Sequence, residues 1–170
     1  MKKILFVVVC VYILLVVLMP KVKLYFQVEQ QLKKELKLNI NNEKVKDNLL
    51  FLSISGADIL SSGISVAKVK NVKIYPFLIV NHMSIENITM QKSIQKILNM
   101  KVRSVGVTHN ILQPLKLSLD IELIANRLHG YVDLKTKKIK LFYKQKINGF
   151  GMFRQYVQKT KDGYKLELSF

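Results

Sequence analysis

Hydrophobic and polar positions follow three different rhythms along this chain. From Ile4 to Met19 there is no alternation: sixteen uncharged residues, thirteen of them Val, Leu, Ile or Phe, stand between Lys2-Lys3 and Pro20-Lys21. At roughly −0.4 kcal/mol each on an insertion scale these sum to about −5 kcal/mol, which favours entry into a bilayer. A helix of this length extends about 24 Å against a hydrocarbon core of about 30 Å. Snorkelling of Lys2 and Lys3, with Val22, Leu24, Tyr25 and Phe26 at the far interface, makes up the difference. A cleaved signal peptide begins alike but needs small residues after the apolar run. No Ala, Gly, Ser or Thr precedes Ser53, and Cys10 lies in mid-run, not at a lipoprotein cleavage position. The expectation is a retained single-span anchor over residues 1–22.

Beyond Pro20 the rhythm is about four. Leu24, Val28, Leu32 and Leu36 recur at i, i+4, and Glu29 precedes Lys33 in the favourable order for a helical ion pair. This predicts an amphipathic helix over Lys23–Leu38, ended by Asn39-Ile40-Asn41-Asn42. The leucine stripe is a candidate surface for a partner helix, or else packs on its own domain.

From Leu49 the period becomes two. Predicted strands are Leu49–Ser55, Ile64–Val69, Val72–Ile79, Met83–Met90, Arg103–His109, Leu115–Ile124, Arg127–Leu134, Lys138–Lys144 and Tyr164–Ser169. In Leu115–Leu123 every odd residue is apolar and every even one polar, so Leu115, Leu117, Leu119, Ile121 and Leu123 form a candidate apolar sheet face. The following short connections predict an antiparallel meander. Gly130 inside a strand signals a bulge or a close backbone approach, and Pro76 demotes its segment to an edge or a break. Two short helices are expected over Ser93–Met100 and Phe150–Gln158. The predicted fold is therefore mainly β: a transmembrane helix (1–22), a juxtamembrane amphipathic helix and turn (23–42), and an antiparallel, curved or jelly-roll-like β-domain (43–170).

Composition adds a net charge of +17 over 170 residues, carried by lysine, since arginine occurs only at 103, 127 and 154. A chain rich in Lys, Asn and Ile is what AT-rich coding yields, so drift contributes to this excess. The basic surface should still attract anionic lipid or nucleic acid at low salt. The single cysteine lies in the apolar run, so the β-domain has no disulfide framework and no thiol nucleophile. Short basic N-terminal tails stay inside and long downstream domains translocate. The expected location is a bacterial inner membrane, N-terminus cytoplasmic and β-domain periplasmic.

Candidate chemistry is sparse. His82, His109 and His129 fall at no metal-binding spacing, and the seven glycines are scattered and build no phosphate loop. Asp120 and Glu122 share a strand face with Lys116, which suits a solvated charge ladder. No catalytic residue, metal or cofactor is expected, and the predicted role is non-enzymatic binding or scaffolding.

The stretch Ile111–Ile121 followed by Leu128-His-Gly-Tyr-Val-Asp-Leu134 and Lys135–Leu141 resembles the Gly-x-[Ile/Val]-Asp-Leu strand pairs of type II secretion protein N and related AsmA-like envelope proteins. Gly56-Ala-Asp-Ile59 and Gly63-Ile-Ser-Val-Ala-Lys-Val69 are similar to the preceding strands of those proteins. The resemblance covers roughly Leu49 to Tyr143. It implies an inner-membrane accessory subunit of a secretion or DNA-uptake apparatus, with no catalytic residues, that docks other subunits through its β-domain. Lipid or lipopolysaccharide handling by an apolar β-groove is the alternative expectation. Salt-sensitive DNA binding by the lysine surface is a third, weakened by the lack of interleaved aromatics.

Overall fold

The computed structural model describes residues 2–124, 126–145, 147 and 150–169, with the side chains of Leu36, Leu98 and Met152 also outside the described part. Helix α1 runs over Lys2–Leu18 and α2 over Lys21–Leu36. Pro20 separates them because it lacks an amide hydrogen and disfavours helical backbone at the residue before it. No single described helix is long and apolar enough to cross a membrane; the pair meets that standard only jointly, across a 58° bend. The bend is pinned by Lys21, 4% exposed. Its ammonium donates to the Val17 carbonyl at 3.2 Å and lies 3.5 Å from an Asp47 carboxylate oxygen.

The strands are β1 (Leu38–Asn41), β2 (Lys44–Asp47), β3 (Leu52–Ser61), β4 (Ile64–Phe77), β5 (Val80–Met90), β6 (Val102–Asn110), β7 (Lys116–Leu123), β8 (Arg127–Asp133), β9 (Lys138–Tyr143), β10 (Val157–Thr160) and β11 (Gly163–Ser169). Helix α3 (Lys92–Leu98) lies between β5 and β6, and a 3-10 turn (Gly151–Tyr156) precedes β10. All described strands form one antiparallel sheet in the order β1-β3-β4-β5-β6-β7-β8-β9-β11-β10, with β2 on β3 beside β1. A jelly roll needs two packed sheets, so the single open sheet excludes that alternative.

Three departures from the sequence reading have physical causes. The segment Asn39–Asn42, expected to cap the helix, instead contributes β1. The helix is closed by Lys37 in the left-handed conformation, its amide bonded to the Leu32 carbonyl, and Ile40 then packs into the core. The sheet thus begins before residue 43. Residues 64–69 and 72–77 of the two expected strands belong to one strand of fourteen residues, and Leu78 and Ile79 form the turn to β5. Pro76 is accommodated because β4 has outrun β3, whose last partner to it is Leu52 against Ile74. The second weak helix, over 150–158, is a 3-10 turn followed by β10.

The merged strand misleads because its alternation slips by one residue. Gly56 and Lys70 have no Cα partner between β3 and β4, nor Lys70 and Asn87 between β4 and β5, while the register itself shifts past Val66 in the β3–β4 pair and past Arg103 in the β6–β7 pair. Val66 and Arg103 are extra residues on one strand of a pair. Gly56, Lys70 and Asn87 instead lie level on three strands with the register unchanged on either side, and there the apolar side chains change parity while staying on one face. Gly56 (φ +72°) and Asn87 (φ +57°) take the left-handed backbone that such irregularities use.

Candidate functional site

The pairing places one apolar row across the sheet: Leu52, Ile74, Met83, Val107, Leu119, Gly130, Leu141, Leu166 and Val157 are successive cross-strand partners. Ile54, Val72, Ile85, Val105, Ile121 and Leu128 form the neighbouring row. Burial along this face is uneven. One cluster gathers Leu52, Ile54, Ala57 and Val69 beneath Val22 and Tyr25 of α2. The other gathers Leu123, Leu128, Leu141, Tyr143, Phe150 and Leu166 beneath Phe153 of the 3-10 turn. Met83, Val105 and Val107, between them, belong to neither cluster and stay half-buried. The helices make their main contacts elsewhere, α2 with β1, β2 and β3, and α3 with the 3-10 turn.

At the α3 end of this gap lies a cleft of 580 Å³. Its apolar lining comes from Ile88, which packs on the first cluster, and from Met90, Met100 and Val102, the last two packing on the second. Lys70, Lys101 and Arg103 supply three cations, with Asn87, Thr89 and Gln95 as polar neighbours. Three of these irregular positions, Lys70, Asn87 and Arg103, line the cleft. The volume falls in the range of small-molecule sites, and apolar walls with a few convergent polar groups are their usual lining.

Of the sequence-predicted face, Leu117, Leu119 and Ile121 are half-buried and Leu123 buried, all on β7; Leu115 lies before the strand and is exposed. On α2, Leu24 and Val28 are 42% and 53% exposed, whereas Leu32 is half-buried beside Val22, Tyr25 and Glu29. The stripe therefore divides between solvent and sheet, and the Leu36 side chain lies outside the described residues. Tyr25 reaches the first cluster with its hydroxyl buried and no hydrogen-bond partner among the described residues. Burial, with Glu43 and Glu29 nearby, pushes the phenol well above its ordinary range. Burial and Glu43 likewise raise Glu29.

The opposite sheet face is polar. A shallow depression of 440 Å³ there is lined by His82, Ser84, Ser104, Asp120, Glu122 and His129 among others. Asp120 pairs with His129 Nδ1, His82 Nδ1 lies 3.0 Å from the Thr108 hydroxyl, and Ser104 donates to Glu122 at 3.0 Å. The expected Lys116 partner for this carboxylate pair is corrected: Lys116 lies 5.8 Å over the Tyr131 ring, and Arg103 is the cation near Glu122, at 3.9 Å. The Asp120–His129 pairing was countable from the sequence, since both flank the turn at Asn126 in register. Among the described residues no group of three or more His, Cys, Asp or Glu side chains is placed to hold a metal. The cationic cleft was missed because its residues come from five separate segments of the chain, at 70, 87–90, 95, 100–103 and 124.

Comparison with protein-family models, with curated proteins and with solved structures gives no match for this chain.

Proposed function

We propose that the chain is a non-enzymatic, membrane-anchored binding module of the cell envelope that takes up an anionic amphiphile, a lipid with acyl chains and a negative headgroup. The observation that carries this reading is the 580 Å³ cleft between the two core clusters, apolar along Ile88, Met90, Met100 and Val102 and cationic at Lys70, Lys101 and Arg103. Acyl chains are satisfied by the half-buried face around Met83, Val105 and Val107, and the headgroup by the three cations. Helix α1, with an exposed apolar surface along most of its length, supplies the anchor. Gently purified full-length protein should carry anionic lipid detectable by native mass spectrometry. The double variant Lys101→Glu/Arg103→Glu should lose at least ten-fold in binding of a fluorescent anionic lipid while its circular dichroism is unchanged. Equal binding by the variant would sink the reading.

A second reading, an accessory subunit of a secretion or DNA-uptake machine, is favoured by one feature: Leu24 and Val28 of α2 face solvent. It locates docking on a helix face, because the sheet edges are short and carry Lys44, Lys46 and Lys159, a pattern that discourages strand addition. A photo-crosslinker at Val28 that captures one envelope protein in cells would support it; capture of lipid alone would overturn it.

A further inference from the structure

The two ends of the sheet differ sharply. At one end the tight connections are polar, Ser62-Gly63 and Lys161-Asp162, with Ile64, Ile97 of α3 and Ile124 exposed singly. At the other end, four successive hairpin connections each present exposed large apolar side chains. They are Leu49 (74%) and Leu50 before β3, Ile79 before β5, Ile111 and Leu112 (80%) before β7, and Leu134 after β8.

These tips are held in place by hydrogen bonds. The Ile111 amide donates to the Ile79 carbonyl at 2.9 Å, and the Leu134 amide to the Leu115 carbonyl at 2.9 Å, so neighbouring tips are tied into a row. Asn110 and Asp133 side chains accept amides from within their own turns. An ordered backbone that leaves leucine and isoleucine in water points to an apolar environment outside the molecule.

Three observations identify that environment as a lipid surface. Helix α1 passes this end: the Tyr12 hydroxyl donates to the Phe77 carbonyl at 2.7 Å, and the Lys21–Asp47 bend lies at the same end. Behind the tips come aromatic rings, with Tyr75 5.3 Å from Phe51 and 5.9 Å from Phe77. Beside them Lys116 and Lys140 flank the Tyr131 ring. Apolar side chains outermost, then aromatics and lysines, is the depth order of a membrane interface, where Tyr sits at headgroup level and Lys meets anionic lipid.

We infer that the four apolar hairpin tips dip into the bilayer leaflet from which α1 emerges, so that the sheet stands on the membrane at a fixed angle. The orientation, though not the insertion, rests on the reading of α1 as an anchor.

The test uses the full chain in protein-free phosphatidylcholine–phosphatidylglycerol vesicles. An environment-sensitive fluorophore is attached at Leu112→Cys or Ile79→Cys, and at Ser62→Cys or Asp162→Cys, each in a Cys10→Ala background. The expected result is blue-shifted emission at 112 and 79, with several-fold stronger quenching by doxyl lipid than at 62 and 162. Tip labels that behave like the label at 62 overturn the inference and point to a protein partner for this end. The label on native Cys10 reports the anchor separately: Cys10 in water with the tips quenched sinks the anchor reading and leaves the dipping tips standing.

Discussion

Single atoms decide several positions in this fold. A methyl group on Gly130 would overlap the Lys140 carbonyl oxygen and come within 2.9 Å of Leu141 Cα, both backbone and therefore unable to swing away. Gly130→Ala should destabilise the protein by roughly 2–3 kcal/mol in chemical denaturation, the range of overpacking. Gly106→Ala, whose added carbon meets Asp120 Cβ at 3.5 Å, should stay near wild type. The sequence signalled a close approach or a bulge at Gly130, and close approach is what β9 makes. Acid should act through carboxylates held low. Lys165 and Lys138 hold Glu167 down to about 2, and backbone amides, Thr136 foremost, hold Asp133 below its usual range. A depressed folded-state pKa stabilises above the unfolded value, 4.5 for Glu167, and that contribution disappears as pH falls towards 2. Amide exchange in β9 and β11 should accelerate over this interval, and Glu167→Gln should flatten the dependence.

Among the elements, α2 best separates what sequence can and cannot say. Its existence and length follow from a four-residue period and a proline. Its orientation does not, because two apolar stripes share the helix and the choice is made by Lys21 locking onto Asp47. Val22 and Tyr25 consequently meet the sheet, and Leu24 and Val28 do not. Tyr25→Phe removes a buried hydroxyl that has no hydrogen-bond partner among the described residues, so thermal or urea unfolding should show a gain of about 1 kcal/mol. Leu24→Ser and Val28→Ser should each fall within about 0.5 kcal/mol of wild type, as exposed substitutions do. β7 shows the opposite case: strict alternation over Leu115–Leu123 located the strand and its apolar face to within a residue, because one wet face and one dry face leave no ambiguity of register. β1 and β10, four residues each, are too short for a period to declare itself.

For the whole molecule, the meander was readable because most strands pair with their neighbours in sequence; among the described strands the order breaks at the two edges, where β1 pairs with β3 and β11 returns between β9 and β10. The division of the apolar face into two clusters was not readable, since it depends on which helices cover which strands. The cleft between them is lined in part by the irregular positions 70, 87 and 103. Because the parity changes of β3, β4 and β5 lie level, removing Gly56, Lys70 and Asn87 at once restores plain alternation across that level in all three strands and keeps their register. Such a shortened chain should still fold, as amide exchange would report, yet bind no anionic lipid. Ligand capacity then becomes a property of chain length at three aligned points, one that can be deleted without rewriting the core.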